Sequence, residues 1–161
     1  MKDLIVWMED RRDIVSTQIG FLEKKGFEVK VVSTLHRLAD ILSEEKERIV
    51  LIILDVMLFS VQSLKAIGKE NISTEGGYEA GWVLAKVFLR SDYKDIPILI
   101  VSVRPLKGES EEKLEDIKLS EGAWVKYIEK GSVNDSMNWN QEFEKVIEEK
   151  LGFKEGDKND E

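Results

Sequence analysis

The chain has 161 residues, 42% hydrophobic and 35% charged, which fits a single globular domain with one sizeable core. A net charge of -8 disfavours nonspecific binding to nucleic acid or anionic membranes, and no apolar run approaches the ~18 residues of a membrane span. There is no cysteine, which excludes thiolate metal sites, and the opening MKDLIVWMEDRR does not read as a signal peptide, so a cytoplasmic location is expected.

Apolar runs alternate with amphipathic stretches along the chain. Leu4 to Met8 reads as a first strand, and Ile14, Val15, Gln18, Ile19 and Leu22 follow helical spacing up to Gly26. FEVKVV, Phe27 to Val32, alternates as a more exposed strand; Leu35, Leu38, Ala39 and Leu42 then line a second helix capped by Ser33 or Thr34, with His36 near its start. Ile49 to Leu54 is the most apolar run, as expected for a central parallel strand. Phe59 to Gly77 breaks the rhythm, being long for a strand-to-helix connection, and within it VQSLKAIG is compatible with a short helix.

A third helix is expected from Tyr78 to Arg90 and a fourth strand from Ile96 to Val103. A short helix from Glu111 to Ser120, closed by Gly122, precedes a fifth strand from Trp124 to Glu129. Trp139, Phe143, Val146, Ile147 and Leu151 give a final helix, and the remainder is a polar tail. Trp7 and Trp82 are expected in the core; packing is also favoured for Trp124 and Trp139, with partial exposure that could mark a partner face as the alternative. The alternation of strand and helix implies an α/β fold: a doubly wound parallel sheet, helices on both faces, ligands beyond the C-terminal strand ends.

Polar residues gather at those ends. Glu9 and Asp10 follow the first strand, Asp55 the third, Ser102 the fourth and Lys130 the fifth. If strands one and three are neighbours, a spacing of about 4.8 Å brings the three acids together. Like charges at that range repel, and a hard cation such as Mg²⁺ relieves them. A cation beside a carboxylate, a hydroxyl and a lysine suits a phosphoryl group, which a carboxylate can accept as an aspartyl phosphate.

With these residues on the page, the chain resembles a response-regulator receiver domain, CheY-like, of two-component signalling. The stretches IVWMEDRRDI, LIILDVML, IPILIVSV and EGAWVKYIEKG carry the resemblance in order. It implies a flavodoxin-like five-stranded sheet of order 2-1-3-4-5, with a receiver domain over 1–151, an insertion at about 60–76, and a tail over 152–161. Asp55 would accept a phosphoryl group from a phosphohistidine. Glu9, Asp10, Asp55 and the Met57 carbonyl would hold Mg²⁺. Lys130 and Ser102 would bind the phosphoryl oxygens, and Tyr127 would be the aromatic switch. The expected partners are a sensor histidine kinase or histidine phosphotransfer protein, and a downstream protein reached without an attached output domain. Activity would be limited to the chain's own phosphorylation and dephosphorylation.

The sequence departs from the family at several points. Phe59 stands where a proline is usual, Gly131 where a cis proline is usual, and Val103 where a small residue is common. One extra residue between Gly122-Ala123 and Tyr127 points to a bulge in the fifth strand. These departures and the insertion favour an alternative, a receiver-fold adaptor that no longer uses phosphorylation. A phosphoaspartate hydrolase is disfavoured, since Met57 stands where a general acid would be needed.

Overall fold

The computed structural model describes residues 1–118, 124–130 and 136–152. Gly122, Gly131 and the tail from 153 onward lie outside the described residues. The strands are β1 (Leu4–Met8), β2 (Glu28–Val32), β3 (Ile49–Asp55), β4 (Ile98–Ser102) and β5 (Val125–Glu129). All pair in parallel, in the order β2-β1-β3-β4-β5, which is the topology expected from the sequence.

Period-two alternation sorts the strand side chains into two cores. Ile5, Trp7, Leu51, Ile53, Leu99 and Val101 pack with α1 (Ser16–Lys24) and α5 (Ser136–Leu151). Val6, Met8, Ile52, Leu54, Ile98 and Ile100 pack with α2 (Leu35–Glu45) and the helices on the opposite face. That face also carries α3 (80–92) and α4 (Glu109–Lys118). α3 is α-helical over Ala80–Leu84, widens to a π-helix over Ala85–Leu89, and returns to α over Arg90–Asp92. At its end the buried Arg90 guanidinium donates to the carbonyls of Lys94 (2.7 Å), Ile96 (3.1 Å) and Trp124 (3.1 Å), tying α3 to the entrances of β4 and β5. Thr34 caps α2, its hydroxyl accepting from Arg37 N at 3.2 Å.

One expectation is corrected and two open readings are resolved. No bulge interrupts the pairing of β5, which matches β4 from Ile98↔Val125 to Ser102↔Glu129; the register shift lies instead between Leu4 and Ile5, where β1 meets β3. Trp139 is buried, the favoured of its two readings, with its ring meeting Phe143 edge-on at 5.4 Å. VQSLKAIG forms only one 3-10 turn, Lys65–Ile67, which Gly68 ends in the left-handed region at φ 72°.

The 59–77 segment nevertheless packs closely. Val61 and Leu64 are buried in the core, and the Thr74 hydroxyl donates to the Val61 carbonyl at 2.9 Å. Leu58 N donates to the Gly77 carbonyl at 2.9 Å, so the segment leaves and returns at nearly the same point. Among the described residues no helix is long and apolar enough to cross a membrane.

Candidate functional site

Strand register assembles the site. Met8 pairs with Leu54, so Glu9, one residue on, comes beside Asp55. Asp55 pairs with Val101, with Ser102 one step beyond; Ser102 pairs with Glu129, with Lys130 one step beyond. Backbone bonds continue the ladder past the strand ends, from Glu9 N to the Val32 carbonyl (2.9 Å) and from Lys130 N to the Ser102 carbonyl (2.6 Å). Side chains that would be solvated at a frayed end are therefore held down. Glu9 is 3% exposed, Asp55 6%, Ser102 1% and Lys130 7%.

The Lys130 ammonium lies 2.6 Å from Asp55 Oδ2 and 3.0 Å from Glu9 Oε2. The other Asp55 oxygen, Oδ1, accepts from Met57 N at 3.3 Å. Lys126, the lysine within β5, is exposed. Two buried carboxylates thus share one ammonium. Burial pushes the Glu9 carboxyl up to about 7, aided by its hydrogen bond to Asp55 and that neighbour's charge, with Lys130 only partly opposing. Burial would lower the Lys130 pKa, but the Asp55 and Glu9 carboxylates more than offset this and hold it above its usual range.

The structure does not bring the Asp10 side chain into this group. Its Oδ2 accepts from Ser60 N at 3.3 Å, and its Oδ1 accepts from the Ser60 hydroxyl. Among the described residues, no three His, Cys, Asp or Glu side chains are grouped so as to hold a metal ion. The donor chemistry still suits a hard divalent cation, because Glu9 and Asp55 together exceed the charge of Lys130. Glu9 and Asp55 are the carboxylate donors at hand, the Met57 backbone lies beside Asp55, and Asp10 is held by Ser60.

Ser102 Oγ accepts from Arg104 N at 3.1 Å. The Tyr127 hydroxyl donates to the Arg104 carbonyl, and the ring stacks on Trp82 with centroids 5.7 Å apart and planes 3° from parallel. Burial raises the Tyr127 pKa, so the phenol is held in its neutral, donating form. An open groove of about 270 Å³ runs beside Ser102, lined by Trp82, Arg104, Lys113 and Tyr127 among others.

Several contributors were not foreseen from the sequence: Ser60, Arg104, Trp82 as a stacking partner, and Gly81. Gly81 supports the site from beneath, since a Cβ there would lie 2.2 Å from the Asp55 carbonyl oxygen. A glycine in the first turn of a helix was the available signal for it. Ser60 and Arg104 stand in irregular connections, where no period marks which side chain turns inward. Phe59 is half-exposed and meets Tyr78 edge-on at 5.1 Å, and Val103 is also exposed at the rim.

No family model matches the chain, and no curated protein matches it. Solved structures do. A CheY-like response regulator receiver domain protein from Methanospirillum hungatei is 15% identical, with 94% of this chain and 98% of that chain covered at a TM-score of 0.59. The BeF3-activated N-terminal receiver domain of Klebsiella pneumoniae RstA is 21% identical, covering 87% and 96% at 0.54. A Burkholderia pseudomallei response regulator with a phosphorylated aspartic acid, a calcium ion and citrate is 18% identical, covering 92% and 72% at 0.52. At these identities the likeness is one of architecture, and the chain has the fold of response-regulator receiver domains.

Proposed function

We propose that the chain is a phospho-acceptor receiver that acts in the cytoplasm. It would take a phosphoryl group from the phosphohistidine of a sensor histidine kinase or phosphotransfer protein onto Asp55. The observation that carries this reading is the buried Lys130 ammonium, 2.6 Å from Asp55 Oδ2 at the C-terminal rim of the sheet. The phosphorylated aspartic acid and calcium ion of the Burkholderia protein, and the BeF3-activated state of RstA, support it by analogy.

In the proposed reaction an Asp55 oxygen attacks phosphorus. The P–O bond forms as the P–N bond to imidazole breaks, and the departing nitrogen keeps the electron pair. Lys130, already desolvated and charged, moves from the carboxylate to the incoming phosphoryl oxygens with little reorganisation. Mg²⁺, held by Glu9, Asp55, the Met57 carbonyl and a released Asp10, would offset the negative charge gathering there. Ser102 would exchange its bond from Arg104 N for one to the phosphoryl group. That movement would draw on the loop whose carbonyl holds Tyr127, shifting the population of the Tyr127–Trp82 stack. The changed surface would be read by a downstream protein, with no part for nucleic acid or a membrane.

Incubation with Mg²⁺ and acetyl phosphate tests the proposal by mass spectrometry. The expected result is a gain of one phosphoryl group that is absent in Asp55→Asn and absent without Mg²⁺. An adduct that persists in Asp55→Asn would overturn the assignment. The engagement of Asp10 by Ser60 favours a second reading, a receiver-fold adaptor that no longer uses phosphorylation. That reading predicts no adduct and no Mg²⁺ affinity.

A further inference from the structure

Asp10 leaves β1 directly after Glu9, yet the two carboxylates go different ways. Both Asp10 oxygens are engaged by one residue: Oδ1 accepts from the Ser60 hydroxyl and Oδ2 from Ser60 N at 3.3 Å. The Ser60 hydroxyl also contacts the Ser33 carbonyl. A hydroxyl has one proton to donate, so these two acceptors share it. Ser60 thereby ties together the exits of β1, β2 and β3.

Nor is Ser60 free to drift. Leu58, two residues earlier, is buried and bonded to Gly77, and the next residue, Val61, is buried with its carbonyl bonded by Thr74. Gln62 Nε2 donates to the carbonyls of Phe59 (2.6 Å) and Gly76 (2.9 Å), bracing the base of the segment. The position of Ser60 is set by the whole 59–77 segment, and through it so is that of Asp10.

We infer that Ser60 is a positioning residue that withholds Asp10 from the cation pocket, so that cation loading and the grip of the 59–77 segment on Asp10 compete. This rests on the proposed reading of the pocket as a divalent-cation site. A cation that recruits Asp10 must draw its carboxylate toward Asp55 and Glu9, and so away from Ser60 at the expense of both bonds. Linkage makes the competition reciprocal: whatever pins the segment weakens cation binding by the factor by which the cation loosens the segment. A partner that grips the segment thereby gains control of loading at Asp55 without touching it.

The test titrates Mg²⁺ alone into the full chain by calorimetry, comparing wild type, Ser60→Ala and Ser60→Thr. Ser60→Ala deletes the hydroxyl bond and is expected to bind Mg²⁺ roughly three- to tenfold more tightly, the range set by one net hydrogen bond. Ser60→Thr keeps a hydroxyl and is expected to return toward wild type. In wild type, hydrogen exchange of the amides over 59–64 should quicken on adding Mg²⁺. If wild type binds Mg²⁺ but Ser60→Ala binds it equally or more weakly, or exchange over 59–64 does not change, the competition is overturned while the cation reading stands. If neither protein binds Mg²⁺, the cation reading itself falls, and the inference with it.

Discussion

Glu9 shows how far a neighbourhood can move one side chain. Its carboxyl ordinarily titrates at 4.5 and here is pushed up to about 7. Between those values the folded protein holds a proton that the unfolded chain releases. The contribution is therefore complete below 4.5 and is lost as pH rises through 7. A gap of this size corresponds to about 3 kcal/mol at most. Urea unfolding in cation-free buffer is expected to show wild type losing more stability than Glu9→Gln over that window. Equal losses in the two proteins would mean that Glu9 ionises without hindrance. Saturating Mg²⁺ should shrink the difference, because a cation stabilises the ionised form that burial disfavours.

At the scale of elements, the contact between α3 and β3 is set by a missing side chain. Gly81 N donates to the Val56 carbonyl at 2.9 Å, and a Cβ at that position would come within 2.2 Å of the Asp55 carbonyl oxygen. Gly81→Ala must push the helix off the strand, and a loss of about 3 kcal/mol is expected in chemical denaturation. Gly20 is the control: it lies inside α1 with nothing within 4 Å of its Cβ position. Gly20→Ala should stabilise by about 0.5–1 kcal/mol through helix propensity alone. A small loss at Gly81 would mean that α3 can slide along β3. The strands themselves were legible in the sequence, since Ile49 to Leu54 and Ile98 to Ser102 are apolar runs with polar ends. The pocket residues Glu9, Asp55 and Ser102 were legible for the same reason, each being the first polar residue at a strand exit, whereas Lys130 follows the polar Glu129 and was marked only by the resemblance. The direction of Asp10 was not, because it depends on Ser60, whose place is fixed by turns without a hydrophobic period. The π-helical stretch of α3 was equally hidden, since one residue's slippage leaves the apolar spacing almost unchanged.

The whole molecule is one sheet between two unlike layers. The layer of α1 and α5 is built on aromatic contacts: Phe143 stacks on Trp7 at 5.5 Å and meets Phe21 and Trp139 edge-on. The opposite layer holds the groove beside Ser102 and the 59–77 segment. Both lean on the same five strands, so neither should survive the other's loss. Phe143 is fully buried, and Phe143→Ala is expected to cost about 3–5 kcal/mol. Far-UV circular dichroism and tryptophan emission should still report one coincident transition. Separate transitions would show that the two layers melt independently.

The flat contact between Trp82 and Tyr127 has an optical consequence. Trp7 and Trp139 belong to the other layer, and Trp124 lies under the Lys150 ammonium, 5.5 Å away, at the entrance to β5. Trp82 alone lies against the phenol that borders Ser102. Any swing of that phenol would change the quenching of one indole and spare the other three, so tryptophan emission would report the movement proposed to follow phosphorylation of Asp55.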